Sequence, residues 1–130
     1  MHFCAMITTN LSNERMVKMD KFVIFAFQGN PVCFVHVLLN ALDMQAKGKD
    51  VKVVLEGEAV TLVKKMTESK NPLFKKVVDL SLIDCVCRAC SATLGVLEYN
   101  EASGLPVGGD MSNHPSFLSY TEKGYQVITL

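Results

Sequence analysis

Lys21-Phe-Val-Ile-Phe-Ala-Phe27 is the stretch on which the fold turns. Its β-branched and aromatic residues run without polar alternation, the pattern of a strand covered on both faces, as in parallel sheets. Gln28-Gly29-Asn30-Pro31 breaks that strand and places Pro31 where a helix begins. Residues 32–47 suit the helix, and Gly48 suits its C-terminal cap. The alternation then repeats. Residues 50–55 read as a second strand, 59–67 as a lysine-faced helix, and Asn71-Pro72 as the cap and first position of another helix to Leu80. Residues 81–86 are expected as a third strand, and 87–94 as a helix stopped by Gly95. Residues 96–112, with Gly104, Pro106, Gly108 and Gly109, have no period and read as a loop holding at most one short strand or turn. Ser112-Asn113-His114-Pro115 is expected to open a helix to Lys123, ahead of a last strand at 125–130. Strands separated by helix-length segments imply crossover units. The expected fold is therefore a three-layer α/β domain with a mainly parallel sheet and helices on both faces. Residues 1–20 are polar and aperiodic and read as an N-terminal extension, which puts the domain at 21–130.

Composition narrows the class of partner. The chain has 130 residues, enough for one core, and 49% hydrophobic with 20% charged residues is the make-up of a globular domain. Basic and acidic residues balance at 13 each, so nothing in the charge neutralises phosphates, and neither nucleic acid nor an anionic membrane surface is an expected partner. The longest apolar run, Phe22 to Phe27, falls far short of the roughly 20 residues a membrane-spanning helix needs. The first twenty residues do not read as a signal peptide. Five cysteines, an odd number, sit at Cys4, Cys33, Cys85, Cys87 and Cys90. The expected location is a reducing cytoplasm, where clustered cysteines bind metal or do chemistry more often than they form bridges.

The chemistry concentrates in Asp84-Cys85-Val86-Cys87-Arg88-Ala89-Cys90-Ser91. A strand over 82–86 puts Cys87 at its carboxyl end and at the start of a helix, the edge along which open α/β sheets place their sites. Helix-start N–H groups and Arg88 would favour a Cys87 thiolate and lower its pKa. Cys90 lies about one helical turn on, placed to resolve an oxidised or persulfidated Cys87. Cys85 is expected on the same strand face as Cys87, but deeper. Cys33 and Cys85 read as buried small hydrophobes, and His36 as a packed core histidine. A metal site built on Cys85, Cys87 and Cys90, with His114 or Cys33 as fourth ligand, is the weaker reading, because structural zinc usually takes two separated Cys/His pairs. No metal and no cofactor are therefore expected. Glu56 and Glu58 end the second strand on the same edge and read as exposed loop carboxylates. His114 reads as a helix-entry residue. No GxxxxGK[ST] or GxGxxG occurs, so nucleotide binding has no support.

The strand at 22–27, the strand at 51–55 leading into Glu56-Gly-Glu-Ala-Val60, and Cys87-Arg-Ala-Cys-Ser-Ala-Thr-Leu-Gly-Val96 together resemble the DsrE/DsrF-like family, which includes the Tus sulfur-relay subunits. His114-Pro-Ser-Phe117 followed by Gly124-Tyr125 and a terminal strand fits the same pattern. Cys87 and Gly95, eight residues apart, match the family's acceptor cysteine and the glycine after it. Cys90 matches a second cysteine that many members carry. Cys85 and the 104–109 loop depart from the pattern. The resemblance implies a flavodoxin-like fold, homo- or hetero-oligomers (commonly trimers or hexamers), and persulfide transfer between donor and acceptor proteins. Three readings remain: a sulfur carrier on Cys87, a dithiol redox or sensing protein using Cys87 and Cys90, and a non-catalytic oligomeric module. The apolar helix after the first strand adds an expectation of self-association.

Overall fold

The computed structural model describes residues 20–130; the expected extension, apart from Asp20, lies outside the described residues. Strand β1 is Lys21–Ala26, and Val23, Ile24, Phe25 and Ala26 are buried on both sides of the sheet, as the unbroken apolar run requires. Helix α1, Pro31–Ala46, starts at Asn30, whose side chain accepts from the N–H groups of Val32 and Cys33. Strand β2, Asp50–Leu55, pairs parallel to β1. The expected helix over 59–67 divides into a 3-10 turn at Gly57–Thr61 and helix α2 at Leu62–Glu68. Helix α3, Pro72–Asp79, is capped by Asn71 through the N–H groups of Leu73 and Phe74. Strand β3 is Ile83–Cys87, and helix α4 is Arg88–Thr93.

Two expectations fail in the second half of the chain. The segment read as a loop contains helix α5, Leu97–Ala102, before strand β4 at Val107–Gly108. The helix is too short for its period to register, and its first residue has no side-chain cap. The helix expected from residue 112 begins instead as α6, Phe117–Thr121, capped by Ser116. Ser112 and Asn113 hold positive φ angles of 51° and 68°, which a right-handed helix does not admit. Pro115 also disfavours a helical residue before it. Strand β5, Gln126–Thr129, closes the chain.

All pairings are parallel, in the order β4-β3-β2-β1-β5, which is the three-layer, flavodoxin-like α/β arrangement that was expected. From β1 to β4 the chain steps steadily in one direction. Right-handed crossovers then put the intervening helices on one face. That face holds the main core, in which Phe34, Val37 and Leu38 of α1, Val63 of α2 and Phe74 of α3 pack on Ile24, Val53 and Leu55. The step from β4 back past β1 to β5 reverses direction, so α6 covers the other face. Its Tyr120 joins Val23, Phe25, Val54 and Tyr125 in a smaller cluster.

A bulge decides which face Cys85 meets. Val53 pairs with Ile83 but Val54 pairs with Cys85, so Asp84 and Cys85 together oppose one residue of β2. Ile83 and Val86 point into the main core, whereas Cys85 packs against the smaller cluster. Cys85 and Cys87 therefore do not share a face, contrary to the period-two reading. The extra residue turns Cys85 away from the face of Ile83, and Cys87 returns to the main core because the chain leaves the strand there to cap α4.

Candidate functional site

Three neighbouring parallel strands deliver three side chains to one place at their carboxyl ends. Glu56 is the residue after β2, Cys87 ends β3, and His114 lies in the loop after β4. Helix α4 adds Cys90 from its first turn. The sulfur, ring-nitrogen and carboxylate atoms of Glu56, Cys87, Cys90 and His114 all lie within 4.8 Å of one another. His114 is at the centre. Its Nδ1 is 3.2 Å from Cys87 Sγ, 3.7 Å from Cys90 Sγ and 3.3 Å from Glu56 Oε1.

The loop is folded to hold that ring nitrogen in position. Met111 and His114 exchange backbone hydrogen bonds, N–H to C=O in each direction, closing a tight turn through the two positive-φ residues. The Asn113 carbonyl accepts from the Ala89 N–H at 3.0 Å and from the Cys87 thiol at 3.6 Å, which ties the loop to the start of α4. Gly109 holds φ +153°, and a Cβ there would lie 2.4 Å from Asn113 and 2.5 Å from His114 backbone atoms. Below the site, Ser91 Oγ donates to the Cys87 carbonyl at 2.7 Å. Asn100 of α5 donates to that Ser91 oxygen at 2.9 Å and to the Val60 carbonyl at 3.0 Å. Ser91 and Asn100 are fully buried, and Asn100 Oδ1 has no partner.

Burial sets the charge state. Cys87 has no exposed surface, and its thiol is pushed up to about 12 chiefly by that burial; the Cys90 N–H, 3.4 Å from Sγ, acts in the opposite direction. The lowered pKa expected at a helix start is therefore overturned, because desolvation of the thiolate outweighs a few N–H groups. Glu56 is also raised, first by burial, with His114 opposing. A buried thiol and a partly buried carboxyl thus meet one imidazole nitrogen that offers a single proton position.

The structure sorts the sequence candidates. Cys87 and Cys90 come together as expected, and Glu56 and His114 join them although the sequence reading had treated them as loop and helix-entry residues. Strand ends in register were the signal for both. Arg88 turns outward: its Nη1 donates to Glu101 Oε2 at 2.8 Å, while Cys87 meets Cys90, Asn113 and His114. Cys85 faces a separate cavity of about 300 Å³ on the opposite sheet face, lined also by Asp110, Ser119 and Tyr120, and burial raises its thiol to about 11. Cys33 and His36 are exposed on α1, so neither is the packed residue expected. Glu58 is exposed as expected. Among the described residues Cys33, Cys85, Cys87 and Cys90 are free thiols.

Residues 34–130 match the DsrE/DsrF-like family, and that span contains every residue of the site. The chain belongs to the DsrE/DsrF-like family. It is 37% identical over 116 residues to an uncharacterised protein of Methanocaldococcus jannaschii, covering 84% of this chain and 93% of that one. A conserved protein of unknown function from Bacteroides thetaiotaomicron shares the fold, with a TM-score of 0.64 at 20% identity over 85% of this chain and 95% of that one. Family membership points to a role related to sulfur relay. No described helix is long and apolar enough to cross a membrane.

Proposed function

We propose that this protein carries sulfane sulfur as a persulfide on Cys87, receiving it from one protein thiol and passing it to another. The observation that carries the reading is the 3.2 Å contact between Cys87 Sγ and His114 Nδ1. A thiol held neutral by burial is a poor nucleophile until a base takes its proton, and His114 is that base. Glu56, 3.3 Å from the same nitrogen, balances the imidazolium that forms.

The Cys87 thiolate attacks the outer sulfur of a donor persulfide. A Cys87–sulfur bond forms as the donor's S–S bond breaks, and the electron pair leaves on the donor's inner sulfur, which takes the proton from His114. Unloading has two routes. An acceptor thiolate attacks the outer sulfur and releases Cys87 as thiolate. Alternatively, Cys90 attacks Cys87 Sγ, expels hydrosulfide and closes a disulfide that an external thiol then reduces. Both routes need a reducing compartment, which agrees with the expected cytoplasmic location.

Intact-mass measurement of the reduced chain after incubation with a sulfane donor tests this. The expected result is a gain of one sulfur, lost in Cys87→Ser and retained with slower release in Cys90→Ser. Loss of two hydrogens in the wild-type chain together with no sulfur gain in Cys90→Ser, where the resolving route is absent, would support the dithiol redox reading, which the proximity of Cys90 also suits. An unchanged mass overturns both.

A further inference from the structure

We infer that Glu56, Cys87, Cys90 and His114 form a four-ligand site for a borderline-soft divalent cation of the zinc class. This site stands on geometry alone and is independent of persulfide carriage. Four potential ligand atoms, two sulfurs, one imidazole nitrogen and one carboxylate oxygen, come from three separate segments of the chain and lie within 4.8 Å of one another. Zinc bound tetrahedrally at about 2.3 Å from sulfur and about 2.0–2.2 Å from nitrogen or oxygen sets its ligand atoms roughly 3.3–3.8 Å apart. The contacts of His114 Nδ1 to Cys87, Cys90 and Glu56 are 3.2, 3.7 and 3.3 Å. The remaining pairs lie within 4.8 Å, so side-chain movements of up to about 1 Å would close the four ligands on a cation at the centre.

The donor set also selects the ion. Two thiolates and an imidazole exclude magnesium and calcium, which prefer oxygen, and suit zinc or cobalt. Cys87 is fully buried, and the Glu56 side chain is 13% exposed, so the cation would be largely withdrawn from water. His114, 36% exposed, leaves a path inward. The preorganisation is already built: the Asn113 carbonyl, the Met111–His114 turn and the Ser91–Asn100 bonds hold the ligand-bearing segments without help from the ion. The weaker reading drawn from the sequence counted Cys85 as a ligand. The bulge in β3 removes it, and Glu56 takes its place.

A cation bound here engages both thiolates. The metal-loaded and sulfur-loaded forms therefore exclude one another, so metal availability would gate entry of sulfur at Cys87.

Anaerobic titration of the reduced full-length chain with cobalt(II) tests the site. The expected result is one equivalent bound, with the strong visible bands of a tetrahedral centre and a sulfur-to-cobalt charge-transfer band of two-thiolate intensity, all discharged by zinc. Cys90→Ser and His114→Ala should each weaken binding more than about 100-fold, beyond the 10–100-fold that loss of an outer-shell partner costs. Cys33→Ser, on the exposed face of α1, should leave the spectrum unchanged. Absence of these bands in the wild-type chain overturns the inference, as does a wild-type spectrum in Cys90→Ser and His114→Ala. The wild-type spectrum decides even if a variant fails to fold. Sulfur loading is then measured on metal-free protein, so either reading can fail alone. If both hold, one equivalent of zinc should block the gain of sulfur.

Discussion

At the scale of single residues, position in space outranks position in sequence. Arg88 adjoins Cys87 in the chain, yet its charge is spent on Glu101 in a half-exposed pair worth no more than about 1 kcal/mol. His114 is 27 residues from Cys87 and touches it. Arg88→Ala is therefore expected to load sulfur at nearly the wild-type rate. His114→Ala should load about 10²–10⁴-fold more slowly, the usual worth of a positioned general base. Stopped-flow loading with a sulfane donor checks both, and equal rates for the two variants would refute the assignment of the base. Exposure likewise orders the thiols. Alkylation near pH 7, followed by peptide mass, should modify Cys33 well before Cys87, because Cys33 is open to solvent and Cys87 is buried and held as the thiol.

At the scale of elements, two short pieces position the site. Helix α5 anchors α4 through Asn100, which reaches Ser91 and the Val60 carbonyl within a fully buried environment. Removing the amide strands those groups without water. Asn100→Ala is expected to cost about 1–3 kcal/mol, the penalty of leaving buried polar groups unpaired, and a matched denaturant titration measures it. The His114 loop depends on Gly109 in the same way. Gly109→Ala forces a methyl against the Asn113 and His114 backbone, so the loop must open and draw His114 away from Cys87. The expected signature is a loss of loading rate larger than the loss of stability. A variant that keeps the wild-type loading rate would show that the turn does not set the position of His114.

The whole molecule is lopsided, with α1 to α5 covering one sheet face and α6 the other. Val32 on α1 is 72% exposed, Leu39 is 47%, and Leu118 on α6 is 62%. These apolar positions and family membership support self-association. Sedimentation at tens of micromolar should show a species larger than the monomer, in the range where specific interfaces persist. A Val32→Asp or Leu118→Asp variant should shift it toward the monomer, and a monomeric wild-type chain would exclude self-association in that range. The second face also carries a pH dependence. Tyr120 donates to Asp84 at 2.5 Å and Tyr125 to Asp50 at 2.7 Å, and burial followed by the carboxylate raises both phenols above their ordinary range. An acid raised by folding stabilises the protein below its unfolded pKa, about 10 for tyrosine, and that contribution is lost as pH climbs toward the folded value. Phenolate absorbance from these two residues should therefore appear together with loss of circular dichroism, well above pH 10. Ionisation of both while the fold persists would contradict the burial.

The sequence by itself determined the fold class, because four apolar runs without polar alternation can be satisfied only by strands covered on both faces, and helix-length spacers make them parallel. It also located Cys87 and Cys90, since the end of a strand and the start of a helix are local events marked by local residues. Helix α5 stayed hidden because six residues hold too little periodicity to register. The true start of α6 was obscured by two residues in left-handed conformation, a choice made by the tight turn they serve. The rest of the site was decided by tertiary structure alone. Glu56 and His114 reach Cys87 because parallel register brings β2, β3 and β4 to one edge, and no local pattern records which loops will meet. The bulge turned Cys85 away for the same reason: strand period is a property of the chain, but the face it finally presents depends on the partner strand. Burial, too, is collective. It raised the Cys87 thiol against the helix-start effect that the sequence suggested, because desolvation depends on everything packed around an atom.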